Sequence, residues 1–93
     1  MAWVSAYSLK MTSTVRRQLA ENLPEAIAFA AFEFMSGPLL ENPKRVGKQL
    51  VPPMDDRWSA RRGTYRILYR IDEDSREVTV VAVAPRSDAY RTP

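Results

Sequence analysis

Arg57, Arg61, Arg66 and Arg86, with Tyr90 four residues further on, are the side chains of this sequence best suited to chemistry. Eight of the eleven arginines fall between Arg57 and Arg91. A guanidinium is a planar fork of donors that matches phosphate oxygens. It stays protonated at working pH, so it stabilises developing negative charge but is a poor base. Histidine and cysteine are both absent. Their absence removes the commonest acid–base group, thiolate chemistry, disulfides and the commonest metal ligands together. The expected chemistry is therefore electrostatic, on an anionic substrate, and no cofactor is expected.

The charge is concentrated rather than spread. The net charge is +3, yet residues 1–43 carry −1, residues 44–70 carry +6 and residues 71–93 carry −2. One central basic block in a near-neutral chain implies an anionic partner, most often nucleic-acid phosphate. A solvated charged face is the other reading of the same residues.

The elements that must position these cations follow from periodicity. Residues Trp3–Met11 alternate weakly and read as a first strand. Thr12 or Ser13 is placed to cap a helix, on which Val15, Leu19 and Leu23 share one face. Asn22 is placed to cap a second helix that starts near Pro24 and continues through the apolar run Ala26–Met35. Gly37-Pro38 stops it, and Leu39–Pro53 reads as a loop. Three strands follow: Met54–Arg62, Thr64–Ile71 and Glu77–Ala84, with a tight turn at Gly63 and an acidic turn at Asp72-Glu73-Asp74-Ser75. The order β-α-α-β-β-β predicts an α+β domain, with two helices on one face of a small, mostly antiparallel sheet.

Strand alternation then sorts the arginines. Trp58, Ala60, Tyr65, Ile67 and Tyr69 are assigned to the helix-covered face. Arg57, Ser59, Arg61, Arg66, Leu68 and Arg70 are assigned to the open face. Ala82 and Ala84 share that open face with Arg86. The expected site is a shallow hollow floored by Leu68, Ala82 and Ala84 and edged by Arg57, Arg61, Arg66 and Arg86. Tyr90 is placed to stack on a base. Arg76 and Arg91 read as solvated.

Length and composition bound the rest. Ninety-three residues, 45% apolar and 27% charged, suit a single domain covering 1–93 with one modest core. No signal-like segment is read at the N-terminus, and the longest apolar stretch, Ala26–Phe32, is short for a membrane span. A cytoplasmic location is expected.

The run Trp58-Ser59-Ala60-Arg61-Arg62-Gly63-Thr64-Tyr65-Arg66-Ile67-Leu68-Tyr69-Arg70-Ile71-Asp72, followed by Arg86-Ser87-Asp88-Ala89-Tyr90, resembles the RelE toxins of the RelE/ParE superfamily. Gly37-Pro38-Leu39, Asn42-Pro43, Val46-Gly47-Lys48 and Leu50 resemble an actinobacterial-type branch of it. The resemblance covers nearly the whole chain and implies a RelE-like toxin domain. It also implies a metal-independent endoribonuclease, an mRNA interferase that cuts the codon in the ribosomal A site, among mRNA and rRNA. In such toxins the ribose 2′-OH attacks the adjacent phosphate, leaving a 2′,3′-cyclic phosphate and a 5′-OH. By position, Arg66 would hold the scissile phosphate. Arg86 would stabilise the transition state or protonate the leaving oxygen, Tyr90 would orient the base, and Arg57 and Arg61 would grip phosphate. The implied partner is a RelB-like antitoxin, docked on the apolar helix or over the cationic face.

Two positions depart from that resemblance. Ser59 stands where well-known members carry a lysine that is a candidate base, and Pro85 stands where many relatives carry a histidine. Lys48 is the candidate replacement for the base, ahead of Tyr90, water or ribosomal RNA. Two alternatives follow: a ParE-like inhibitor of DNA gyrase, which shares the fold signal, and a degenerate toxin that binds only antitoxin or RNA.

Overall fold

The computed structural model describes residues 7–85. The elements are β1 (Ser8–Met11), α1 (Ser13–Arg17), α2 (Glu25–Ser36), α3 (Pro38–Glu41), β2 (Lys48–Gln49), β3 (Trp58–Arg62), β4 (Tyr65–Asp72) and β5 (Glu77–Pro85). The five strands form one sheet in the order β1-β5-β4-β3-β2. The first and last strands pair in parallel at one edge of it, and the other three pairings are antiparallel. The fold is the expected α+β arrangement, enlarged by a short helix and a short strand.

Local sequence accounts for most of these boundaries. The Thr12 hydroxyl accepts a 3.3 Å hydrogen bond from the Val15 amide and caps α1. A wider π-type turn over Gln18–Asn22 prolongs α1. Asn22 therefore closes that helical stretch rather than capping the next, and α2 begins at an N-cap Pro24 without a side-chain cap. Gly37 ends α2, but Pro38 then opens one further helical turn, as proline at a first helical position does.

The core lies between the helices and one face of the sheet. Val15, Ala31, Phe34, Met35 and Leu39 pack there against Ala60, Ile67, Tyr69, Val78, Val80 and Val83. Val78 and Val80 differ in parity from Val83, yet all three are fully buried. The register resolves this: Leu68 pairs with Ala82 but Tyr69 pairs with Val80, so Val81 is an extra residue in β5. Such a bulge turns the strand over by one position. It keeps Val83 in the core and sends Ala82 and Ala84 to the open face.

The outer edge of β5 changes hands along its length. β1 pairs with it only as far as Val80, where Met11 is the partner. Further along, the Gln18 side chain takes over: its amide nitrogen donates to the Val83 carbonyl (2.7 Å), and its carbonyl accepts from the Val83 amide (3.0 Å). A carboxamide carries one donor and one acceptor side by side, so it stands in for a strand residue and blunts a free edge.

Two features build the opposite side of the sheet. The buried Tyr69 hydroxyl donates a 2.6 Å hydrogen bond to the Pro43 carbonyl and pins the segment after α3 beneath β4. That burial pushes the phenol pKa well above its ordinary value. Gly47 then passes so close to β3 that a Cβ there would meet the Tyr69 hydroxyl and lie 2.8 Å from the Ser59 carbonyl oxygen. With the chain held there, Lys48 and Gln49 pair with Ser59 and Trp58, and the Leu50 amide adds a 2.9 Å bond to the Arg57 carbonyl. The expected loop over Leu39–Pro53 thus contains a strand. It is polar and flanked by prolines, so it has no pattern of its own and forms only by pairing with β3.

No helix among the described residues is long and apolar enough to cross a membrane.

Candidate phosphate-binding site

Register places the cations in rows across the open face. Lys48, Ser59, Leu68 and Ala82 lie opposite one another on β2, β3, β4 and β5. Two residues along, Arg61 lies directly opposite Arg66, and Arg66 opposite Ala84. Directly opposed residues share a face with Cβ atoms about 4.5–5.5 Å apart. Like charges in that relation oppose sheet formation, so the fold has nothing to gain from Arg61 facing Arg66.

These rows border a hollow of about 440 Å³ lined by Arg45, Val46, Gly47, Lys48, Ser59, Arg61 and Arg66. Four of the seven are cations. Arg66 is only 7% exposed, held in the sheet between Arg61 and the small Ala84. Ser59 is 5% exposed, and its hydroxyl has no hydrogen-bond partner among the described residues. Guanidinium and ammonium groups around a partly closed hollow attract anions more strongly than the same groups in open water.

Of the six residues expected in the site, Lys48, Arg61 and Arg66 are brought together here. Arg57 precedes β3 in the same alternation and is partly buried; its Nε has no partner among the described residues, and it does not line the hollow. Arg86 and Tyr90 lie outside the described residues; β5 is still paired at Pro85, opposite Tyr65. The floor differs from the expected one. Gly47 and Ser59 supply it, and Leu68, Ala82 and Ala84 do not line the hollow. The reason is β2: a strand beyond β3 raises a wall on that side and moves the concavity toward it.

Arg45 was missed by the sequence reading, although it falls in the basic block three residues before Lys48. Arg62 lies on the helix side, its guanidinium 4.4 Å from the centre of the Phe34 ring. Arg76 caps the acidic turn with a positive φ of 56° and lies 4.4 Å over the Tyr7 ring. Beside it, Glu73 accepts from Tyr7 (2.8 Å) and pairs with Lys44 (2.6 Å), tying that turn to the segment leading into the hollow.

The mostly antiparallel sheet with helices on one face is shared with known toxins. The family model described as the ParE toxin of type II toxin–antitoxin systems matches residues 9–90. The chain therefore belongs to that family of toxins, and within it to the RelE type. Toxin RelE of Mycobacterium tuberculosis is 46% identical over 85 residues, which span 91% of this chain and 87% of that protein. Toxin RelG of the same organism is 46% identical over 85 residues, spanning 91% of this chain and 97% of that protein. The toxin–antitoxin complex RelBE2 of M. tuberculosis contains a chain that superposes with a TM-score of 0.81 at 44% identity, covering 87% of this chain and 99% of that one.

Proposed function

We propose that this toxin is a ribosome-dependent mRNA interferase that cleaves the codon in the A site without a metal ion. The observation that carries the reading is Arg61 facing Arg66 across β3 and β4 at the edge of a hollow shared with Arg45 and Lys48. A sheet gains nothing from two opposed guanidiniums, whereas a phosphodiester gains charge-assisted hydrogen bonds from both.

The reaction needs three things of the protein. A base removes the proton of the ribose 2′-OH, and the oxygen attacks the adjacent phosphorus. The bond from phosphorus to the 5′ oxygen breaks, and that oxygen takes up a proton. Charge builds on the non-bridging phosphate oxygens as this happens, and fixed cations there lower the barrier. Arg66 is assigned to those oxygens, with Arg61 and Arg57 gripping the flanking backbone. Lys48, across β2 from Ser59, is assigned as the base. Arg86 is assigned to the leaving oxygen and Tyr90 to the codon base, by resemblance.

The partners follow. The ribosomal A site presents the mRNA, in the cytoplasm, and an antitoxin of the RelB kind restrains the free toxin. The M. tuberculosis relative is described as a toxin–antitoxin complex. On this chain Phe29 and Phe32 are 65% and 46% exposed on α2, an apolar face suited to an antitoxin helix.

Primer extension on mRNA from cells expressing the toxin should show cuts inside translated codons, lost in Arg66→Ala and in Arg86→Ala. Cleavage that survives both substitutions refutes the assignment. The ParE family match supports a second reading, inhibition of DNA gyrase. Blocked supercoiling by the purified toxin with intact cellular mRNA would establish it instead.

A further inference from the structure

Ser59 is the residue of the hollow that neither packing nor the fold explains. It lies in β3 between two core-facing residues, Trp58 and Ala60, and turns its side chain to the opposite face. It is 5% exposed, and its hydroxyl has no hydrogen-bond partner among the described residues. A buried, unsatisfied hydroxyl costs stability, and alanine would fill the same strand position without that cost. Ser59 is one of the residues that line the hollow. Lys48 is its cross-strand partner, and Arg45 lines the same concavity. Arg45 is a cationic hydrogen-bond donor, and a serine hydroxyl is itself a donor. The acceptor that suits both is an anionic oxygen.

The Ser59 row is separate from the Arg61–Arg66 row. The two lie two residues apart along β3, which is about 6.8 Å at the usual strand rise. That separation is of the order of the distance between successive phosphates of an extended single strand. We propose that Ser59, with Arg45, forms a second phosphate subsite beside the Arg61–Arg66 pair. Two consecutive phosphates of a single-stranded RNA then bind along β3, one to each row. The Ser59 hydroxyl donates to a non-bridging oxygen and Arg45 closes over it from the β2 side, while Lys48 remains the base.

This subsite rests on the RNA reading of the same hollow, but it is tested without a ribosome and without cleavage. The probe is a 2′-deoxy dinucleotide carrying a 5′-phosphate, which has two phosphates and no 2′-OH to react. Its affinity for the purified toxin is measured by calorimetric titration at low salt. Ser59→Ala should weaken binding about tenfold, the loss expected for a hydrogen bond to a charged group. Arg45→Ala should weaken it by a similar factor. The melting temperature of Ser59→Ala should be unchanged or raised. Undiminished affinity in Ser59→Ala overturns the subsite. So does a lowered melting temperature, which would make the hydroxyl a structural group. Arg61→Ala and Arg66→Ala report on the neighbouring row: if they abolish binding while Ser59→Ala does not change it, the site holds one phosphate and the inference fails. If the toxin cuts no mRNA but shows Ser59-dependent binding, the subsite stands and the interferase reading falls.

Discussion

The two faces of β4 are made from alternate residues of one strand, yet they obey different rules. On the helix side Ile67 and Tyr69 are fully buried against Val15, Met35 and the valines of β5. Each removes apolar surface from water, and the gain is of the usual hydrophobic size. On the other side Arg66 is nearly as buried, but it faces Arg61 and borders a hollow with two more cations. The first face is accounted for by stability alone. The second carries opposed charges and an orphaned hydroxyl, both of which work against folding, so its composition points to a ligand. Tyr69 links the two: its ring fills the core and its hydroxyl holds the segment that walls the hollow.

That contrast breaks most sharply at Ile67. Ile67→Ala should cost about 2–5 kcal/mol of stability, as large-to-small changes in a closed core do. Urea denaturation measures it. A loss below about 1 kcal/mol would mean that this face is not the core that its burial implies.

Tyr69→Phe tests the link. It keeps the ring and removes the hydroxyl that donates to Pro43, leaving a buried carbonyl without its partner. The expected cost is about 1–3 kcal/mol. The wall of the hollow loses its anchor, so probe binding should fall further than stability does. The phenol also has a pH signature. Its folded pKa is raised by burial. The stabilisation is therefore complete below the unfolded value of about 10 and is lost as pH rises beyond it. Chemical denaturation between pH 8 and 11 should show less alkaline loss in Tyr69→Phe than in the parent. Equal slopes would remove the buried phenol as its source.

Gln18→Ala acts at the edge of the sheet. Two hydrogen bonds to Val83 are lost, for about 1–2 kcal/mol at ordinary net values. The effect should be local. Hydrogen exchange at the Val83 amide should speed up, while amides of β1 keep their protection. Uniform acceleration across the sheet would show that Gln18 supports the whole fold rather than the end of β5.

The helix-side face was legible in the sequence because alternation and helical spacing are local signals. Trp58, Ala60, Ile67 and Tyr69 follow directly from parity, and the cationic parity of Arg61 and Arg66 is the same signal in reverse. The valines of β5 show where that signal stops. Val78 and Val83 cannot share a face in an unbroken strand, and only pairing with β4 reveals the extra residue between them. β2 was illegible for the same reason. Lys48 and Gln49 have no alternation, and they become a strand because Tyr69 and Gly47 bring them against β3. Arg45 entered the site by that route, and so did the role of Ser59, which looked in sequence like a position where a cation was missing. Long-range pairing, rather than residue type, decided where the hollow lies.

The smallest effect expected is also the one of opposite sign. Arg61 is exposed and stands directly across from Arg66. Arg61→Gln keeps a polar side chain of similar reach and removes the like-charge contact. Such contacts cost roughly 0.2–1 kcal/mol, so the variant should match or exceed the parent in stability by up to that amount. Salt separates this from a packing effect. At about 10 mM ionic strength the repulsion is unscreened, whereas near 1 M the screening length falls to about 3 Å and the gain should vanish. Urea titrations at both ionic strengths measure the difference. A variant that loses stability at low salt would mean that Arg61 contributes to the fold as a core-facing residue does. The open face would then need no ligand to explain its charge.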